Sequence, residues 1–130
     1  MSLGLHISGT ARIDGTAVFE GLDLDLVPGG WTCLLGPSGV GKTTVLRLIA
    51  GLDYGVTFQG VIAASDRGPL QGQIALMAQS DLLLPWRDVL GNVTLGAALR
   101  GERAERDRAR EIIDRVGLSE HVGKFPDALS

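Results

Sequence analysis

Gly36-Pro37-Ser38-Gly39-Val40-Gly41-Lys42-Thr43, followed by Thr44, is the stretch on which the reading of this chain turns. It carries the phosphate-binding pattern of glycine, four residues, glycine, lysine and a hydroxyl residue, and each position has a physical task. Gly36, Gly39 and Gly41 let the backbone turn tightly, so that successive N–H groups can point at phosphate oxygens with no Cβ atoms in the way. Lys42 can reach β- and γ-phosphates as a point charge, and the Thr43 hydroxyl can complete the shell of a Mg²⁺ ion that keeps several waters. Thr44, Val45, Leu46, Leu48 and Ile49 then read as a helix whose N-terminal dipole faces the same phosphates, with Gly51 where a terminating glycine belongs. Ahead of the loop, residues 31–35 form a short apolar run, as a buried parallel strand should, and this puts Cys33 in the core as a small hydrophobe. Strand, glycine loop and helix in this order predict an α/β core whose phosphate-binding loop takes a polyphosphate with Mg²⁺.

Upstream, Leu3, Leu5 and Ile7 alternate with Gly4, His6 and Ser8, the period of a half-buried strand. A turn at residues 14–16 follows, and Leu22, Leu24 and Leu26 alternate with Asp23 and Asp25 until Pro28, Gly29 and Gly30 stop them. Residues 1–30 therefore predict a small antiparallel sheet. His6 falls on its polar face, with no ligand partner at metal spacing, and reads as a surface residue. Downstream, an apolar run at 61–64, a turn at 66–69 and a second short apolar strand at 74–77 lead to Gln79. A polar residue at the carboxyl end of a buried strand sits where an open α/β sheet binds its ligands, so Gln79 is expected near the phosphates and the metal.

The stretch Leu82, Leu83, Leu84, Pro85, Trp86 is too short to cross a membrane and reads as either a satellite core or a docking patch. The remainder is helical. Val89, Val93, Leu95 and Leu99 predict one helix containing Asn92 and Gly96 and ending at Gly101. Ala109, Ile112, Ile113 and Val116 predict another, ending at Gly117, with Glu102–Arg106 and Glu111–Arg115 paired on its exposed side. His121 is expected in an exposed turn. These signals divide the chain into residues 1–79, sheet and P-loop core, and residues 80–130, glutamine loop and helical subdomain.

Composition sets the outer bounds. Forty-five per cent hydrophobic and 21% charged residues in 130 are ordinary for one globular domain, and a net charge of −3 gives no reason to expect nucleic acid. One cysteine excludes an internal disulfide. No apolar run approaches the roughly eighteen residues of a membrane span, and no charged-then-apolar leader opens the sequence. The sequence therefore reads as a soluble chain, able to dock on something that is not.

With these residues in hand, the chain resembles the ATP-binding cassette (ABC) ATPases of membrane transporters along essentially its whole length. The amino-terminal sheet, the loop of Gly36 to Thr44 and the glutamine loop at Gln79 come in that family's order. Leu83, Leu84, Pro85 and Trp86, followed by Val89, Asn92 and Val93, are similar to importer subunits of the nitrate, sulfonate and taurine type. Phe125, Pro126, Leu129 and Ser130 resemble the approach to the family's signature motif. The resemblance implies a peripheral subunit on the cytoplasmic face of a cell membrane. Two copies would sandwich ATP and drive transmembrane permease subunits, served indirectly by a solute-binding protein. It also implies that residues 83–86 touch the permease and that Lys42 and Gln79 take part in catalysis.

Three departures from the family pattern bear on function. Ile13 stands where an aromatic residue would stack on adenine, which points to weaker base binding. Ala78 stands where phenylalanine often precedes the glutamine. These 130 residues also include neither a second acidic strand, nor a catalytic glutamate, nor a switch histidine, so the expectation is binding without appreciable hydrolysis. An apolar edge left beside residues 31–35 is further expected to promote self-association. Two other classes remain open. A nucleoside monophosphate kinase resembling guanylate kinase can share the loop but carries it near its amino terminus, and GMP binding would reveal it. A non-enzymatic regulatory module would act through the docking patch, and capture by a permease subunit would reveal that.

Overall fold

A computed structural model describes residues 3–129, which divide after Met77 into two compact units. The first is built on a three-stranded antiparallel sheet, β1 (Leu5–Ile13), β2 (Thr16–Leu26) and β3 (Thr57–Ala64), in the order β2-β1-β3. β1 and β2 form the hairpin that the alternating leucines predict, longer than predicted in both arms. Its turn is Asp14-Gly15, both with positive φ (48° and 80°), the pairing whose twist matches the flanking strands. The apolar run at 61–64 is the end of β3, in register with β1 through Leu5↔Ala64 and Ile7↔Ile62.

Helix α1 (Lys42–Ile49) buries Val45 and Leu48 in the core cluster formed with Leu5, Ile7 and Ala11. Side chains of this size each contribute about 1.5–3 kcal/mol when fully buried. The helix ends as its sequence predicts: Gly51, at φ 70°, donates to the Leu48 carbonyl, while Leu52 donates to that of Arg47. These paired bonds satisfy carbonyls that the last turn would otherwise leave free.

Two predicted strands are not formed. Residues 31–35 and 74–77 carry no ladder, and Trp31, Leu35 and Met77 are 99, 92 and 94% exposed. Cys33 is exposed as well, contrary to the core position that a strand would have given it. A parallel strand needs a neighbour brought from elsewhere in the chain, and no described residues pair with either stretch. His6 is half-buried; its ring bonds to Asp25 Oδ1 at 2.8 Å and to Ser8 Oγ at 3.2 Å.

The second unit holds α2 (Val89–Val93), α3 (Leu95–Leu99) and α4 (Arg106–Arg115), with single 3-10 turns at Ser119–His121 and Pro126–Ala128. Val89, Ala109 and Ile113 are its buried apolar residues. The single helix predicted over Val89 to Leu99 is two. The Thr94 hydroxyl bonds back to the Leu90 carbonyl at 2.8 Å, a local bond that competes with the helical ladder and bends it, and Gly91 and Gly96 weaken it on either side. The predicted charge pairs also differ. Glu102 lies outside α4 and pairs with Arg100, while the contacts at α4 are Arg108–Glu105 and Arg110–Asp107. His121 is half-buried, with its Nδ1 buried and unpartnered among the described residues, against the exposure expected of it.

Candidate functional site

The glycine loop closes on itself through its lysine. Lys42, the first residue of α1, donates from Nζ to the carbonyls of Gly36 at 2.7 Å and Pro37 at 2.6 Å, so its ammonium spans the loop from end to beginning. Gly41 caps the helix in a left-handed conformation, φ 93°, and no side chain caps the N–H groups behind it. Only glycine fits there, for two separate reasons. An L residue is strained at that φ, and a Cβ would stand 2.7 Å from Val18 Cγ1 and 3.2 Å from Phe19 Cδ1.

Val18 and Phe19 are supports that the sequence reading missed. Ala11 pairs with Phe19 and Arg12 with Ala17, so Val18 is an extra residue in β2. Such a bulge bends a strand and re-aims its side chains. Here both Val18 and Phe19 abut Gly41, which fixes the loop to the antiparallel sheet. The signal for this was an apolar run, Ala17-Val18-Phe19, ahead of the alternation at residues 22–26.

Electrostatically the loop suits an anion. α1 has no acidic residue in its first turn, its first N–H groups have no intrahelical acceptor, and the helix dipole adds positive potential. Ser38, Gly39, Val40 and Thr43 are exposed, and Gly36 and Pro37 lie at the loop's exposed start, with Thr44 half-buried in the helix behind. An anion could take up the first N–H groups of α1 and, in place of the two carbonyls, the Lys42 ammonium. For Mg²⁺ the Thr43 hydroxyl is available. No group of three or more His, Cys, Asp or Glu side chains among the described residues is placed to hold a metal, so a cation here would be held by Thr43, phosphate oxygens and water.

Gln79 is exposed at the start of the second unit. In that unit Leu84, Pro85 and Trp86 lie in one turn, closed by the Arg87 N–H on the Leu84 carbonyl, with Leu83 just ahead of it. Leu84 is half-buried, and Leu83 and Trp86 are 41 and 70% exposed. The turn is wired to α2 by Asn92, a residue read from sequence as part of a helix and of the importer-like stretch, with no contact assigned to it. Ile13, at the end of β1, is 38% exposed.

Among the described residues no helix is long and apolar enough to cross a membrane. Residues 19–130 match the ABC transporter family. The aliphatic sulfonates import ATP-binding protein of Pseudomonas fluorescens is 43% identical over 123 residues, covering 93% of this chain and 42% of that protein. A protein of the same description from Rhodococcus jostii is 42% identical over 130 residues, covering 98% and 50%. The Fe(3+) ions import ATP-binding protein of Streptomyces avermitilis is 42% identical over 116 residues, covering 85% and 34%. The chain thus spans half or less of the length of each of these relatives.

Proposed function

This chain belongs to the ABC transporter family, and from that premise we propose that it is the nucleotide-binding part of an importer's ATP-binding subunit. One observation carries the reading: Lys42 and the uncapped N-terminus of α1 are gathered behind a loop whose shape Gly41 makes possible. Gly36, Pro37, Ser38, Gly39, Val40, Gly41, Lys42, Thr43 and Thr44 would wrap the phosphates of ATP, and Thr43 would hold Mg²⁺. Gln79 would offer its amide to a metal-bound water.

Lys42 exchanges two carbonyls for phosphate oxygens, so most of the gain on binding comes from charge-assisted bonds. Lys42 and Thr43 would supply a cradle for the phosphates, and we read the role of these 130 residues as nucleotide binding without turnover. The partners would be transmembrane permease subunits, engaged through residues 83–86, and a second copy of the subunit, on the cytoplasmic face of the membrane. Several relatives are named for aliphatic sulfonates and one for ferric ions. An organic sulfonate is the favoured solute on those names.

Equilibrium binding of ATP, with and without Mg²⁺, tests the reading. Lys42→Ala is expected to weaken ATP binding by on the order of 10-fold or more, as loss of a charged hydrogen-bonding group should, with CD unchanged. Equal affinity in the two proteins would overturn it, and Mg-dependent hydrolysis lost in Lys42→Ala would overturn the expectation of binding alone.

A further inference from the structure

Residues 84–87 make a tight turn, closed by the Arg87 N–H donating to the Leu84 carbonyl at 3.1 Å. Pro85 occupies the position where a fixed φ favours such turns, and Trp86 follows it with most of its surface exposed. The Asn92 side chain grips this turn at both ends. Its Oδ1 accepts from the Leu84 N–H at 2.8 Å, and its Nδ2 donates to the carbonyls of Leu84, Arg87 and Asp88 at 3.2, 2.9 and 3.1 Å. The helix that bears Asn92 is itself anchored, because the Val89 and Leu90 N–H groups donate to the Lys124 and Val122 carbonyls. The backbone carrying Trp86 is thus held from several sides while its side chain faces solvent. A tryptophan displayed on a rigid turn is the sort of anchor that dominates an interface, since little ordering cost remains to be met on binding.

We propose that Asn92 is a positioning residue for partner docking, holding the 84–87 turn in the shape in which Trp86 engages a permease subunit. The inference rests on the reading of the chain as a permease-driving subunit. Leu82 and Leu83 flank the indole with further exposed apolar surface, so the surface of the membrane subunit that meets it is apolar. Asn92 touches no partner. It acts by accepting from the Leu84 N–H and donating to the Arg87 carbonyl, and it adds a second donor to the Leu84 and Asp88 carbonyls, which already accept the Arg87 and Asn92 N–H groups.

The test is a double-mutant cycle on binding to detergent-solubilised permease subunits, with ATP affinity measured alongside. Trp86→Ala is expected to weaken permease binding by on the order of 10-fold or more, and Asn92→Ala comparably, with ATP affinity unchanged in both. The double variant should be no weaker than Trp86→Ala alone, because Asn92 acts through that side chain. Asn92→Asp keeps the acceptor and loses the donors, so it should behave like Asn92→Ala and carries the cycle if the alanine variant fails to fold. In a Trp31→Phe background, fluorescence anisotropy of Trp86 should fall when Asn92 is replaced. Losses that multiply in the double variant, or permease binding unaffected by Asn92→Ala and Asn92→Asp, would overturn the inference alone. Failure of the unsubstituted chain to bind the permease would overturn the permease-driving reading and the inference together.

Discussion

Two loops of this chain lead into helices and treat the helix N-terminus in opposite ways. Ahead of α1 the capping residue is Gly41, which has no side chain to offer, and the first-turn N–H groups are left to an outside acceptor. Ahead of α2 the cap is Asp88, whose carboxylate accepts from the Gly91 N–H at 2.7 Å, while backbone carbonyls of Lys124 and Val122 take the Val89 and Leu90 N–H groups. A helix begins with the same set of orphan donors wherever it occurs. The cap residue, glycine or aspartate, together with the two carbonyls brought in from residues 122 and 124, separates an N-terminus left open from a self-satisfied support for a displayed side chain.

The largest effect should come from removing the device that shapes the first loop. Gly41→Val puts a branched side chain at φ 93°, a conformation costing about 1–3 kcal/mol, and drives its Cβ into Val18, an overpacking of similar size. We expect a loss of about 3 kcal/mol in denaturant unfolding, together with loss of ATP binding. An unfolding curve displaced by well under 1 kcal/mol would mean that β2 gives way readily and does not fix the loop.

A second, smaller effect concerns the two apolar stretches, 31–35 and 74–77, that form no strand in the unit carrying that loop. Trp31, Leu35 and Met77 stand almost fully exposed, and each such side chain could contribute about 1.5–3 kcal/mol on burial against another surface. The chain should therefore self-associate at micromolar concentrations in sedimentation. Trp31→Ser combined with Met77→Ser should shift it toward monomer, whereas replacing the polar cap Asp88 should not. A monomeric unsubstituted chain would contradict this.

Third comes the aspartate cap. Asp88→Ala frees the Gly91 N–H and should destabilise the second unit by about 1 kcal/mol, and Asp88→Asn should restore most of that. Because the first loop uses no side-chain cap, ATP affinity should stay within about twofold in either variant. A large change in ATP affinity would show that the two loops do not behave as independent devices.

What could be read from sequence follows the range of the interactions. The glycine loop, the Asp14-Gly15 hairpin and the glycine stops at Gly51 and Gly117 were legible because each depends on residues a few positions apart. Residues 31–35 and 74–77 were misread as strands, and Cys33 as core. Apolar composition states what a segment would bury, but a parallel ladder depends on a partner that is not local. Thr94 hid its helix break in a hydroxyl back-bond invisible to periodicity. Asn92 hid its clamp in bonds reaching eight residues back to Leu84, and only a polar amide within an apolar helical pattern hinted at it. Val18 is the instructive miss at the site: the motif identifies the loop, and a bulge in another element holds it in place.

The smallest expected effect tests whether charge at a helix end behaves as the caps do. After α3, Arg100 grips Glu102 through both ends of its guanidinium, Nε to Oε1 at 2.9 Å and Nη2 to Oε2 at 2.8 Å. The Glu102 and Gly101 N–H groups meanwhile close the helix onto the Ala97 and Ala98 carbonyls. The Arg100 hydrogen bond, aided by its charge, holds the Glu102 carboxyl below the usual carboxylate range against an opposing desolvation effect. A carboxylate whose folded pKa is depressed adds stability above its unfolded pKa of about 4.3 and loses it as the pH falls through the folded value. Both side chains are more than half exposed, so the contribution is small and screened by salt. Glu102→Gln should therefore unfold slightly earlier than the unsubstituted chain at pH 7 and low salt, with the same gap at pH 6, and the two midpoints should converge as the pH drops below about 4. A gap that persists in acid would show that the bend is held by the shape of the pair and its backbone bonds, as the 84–87 turn is held by the neutral amide of Asn92, and not by charge.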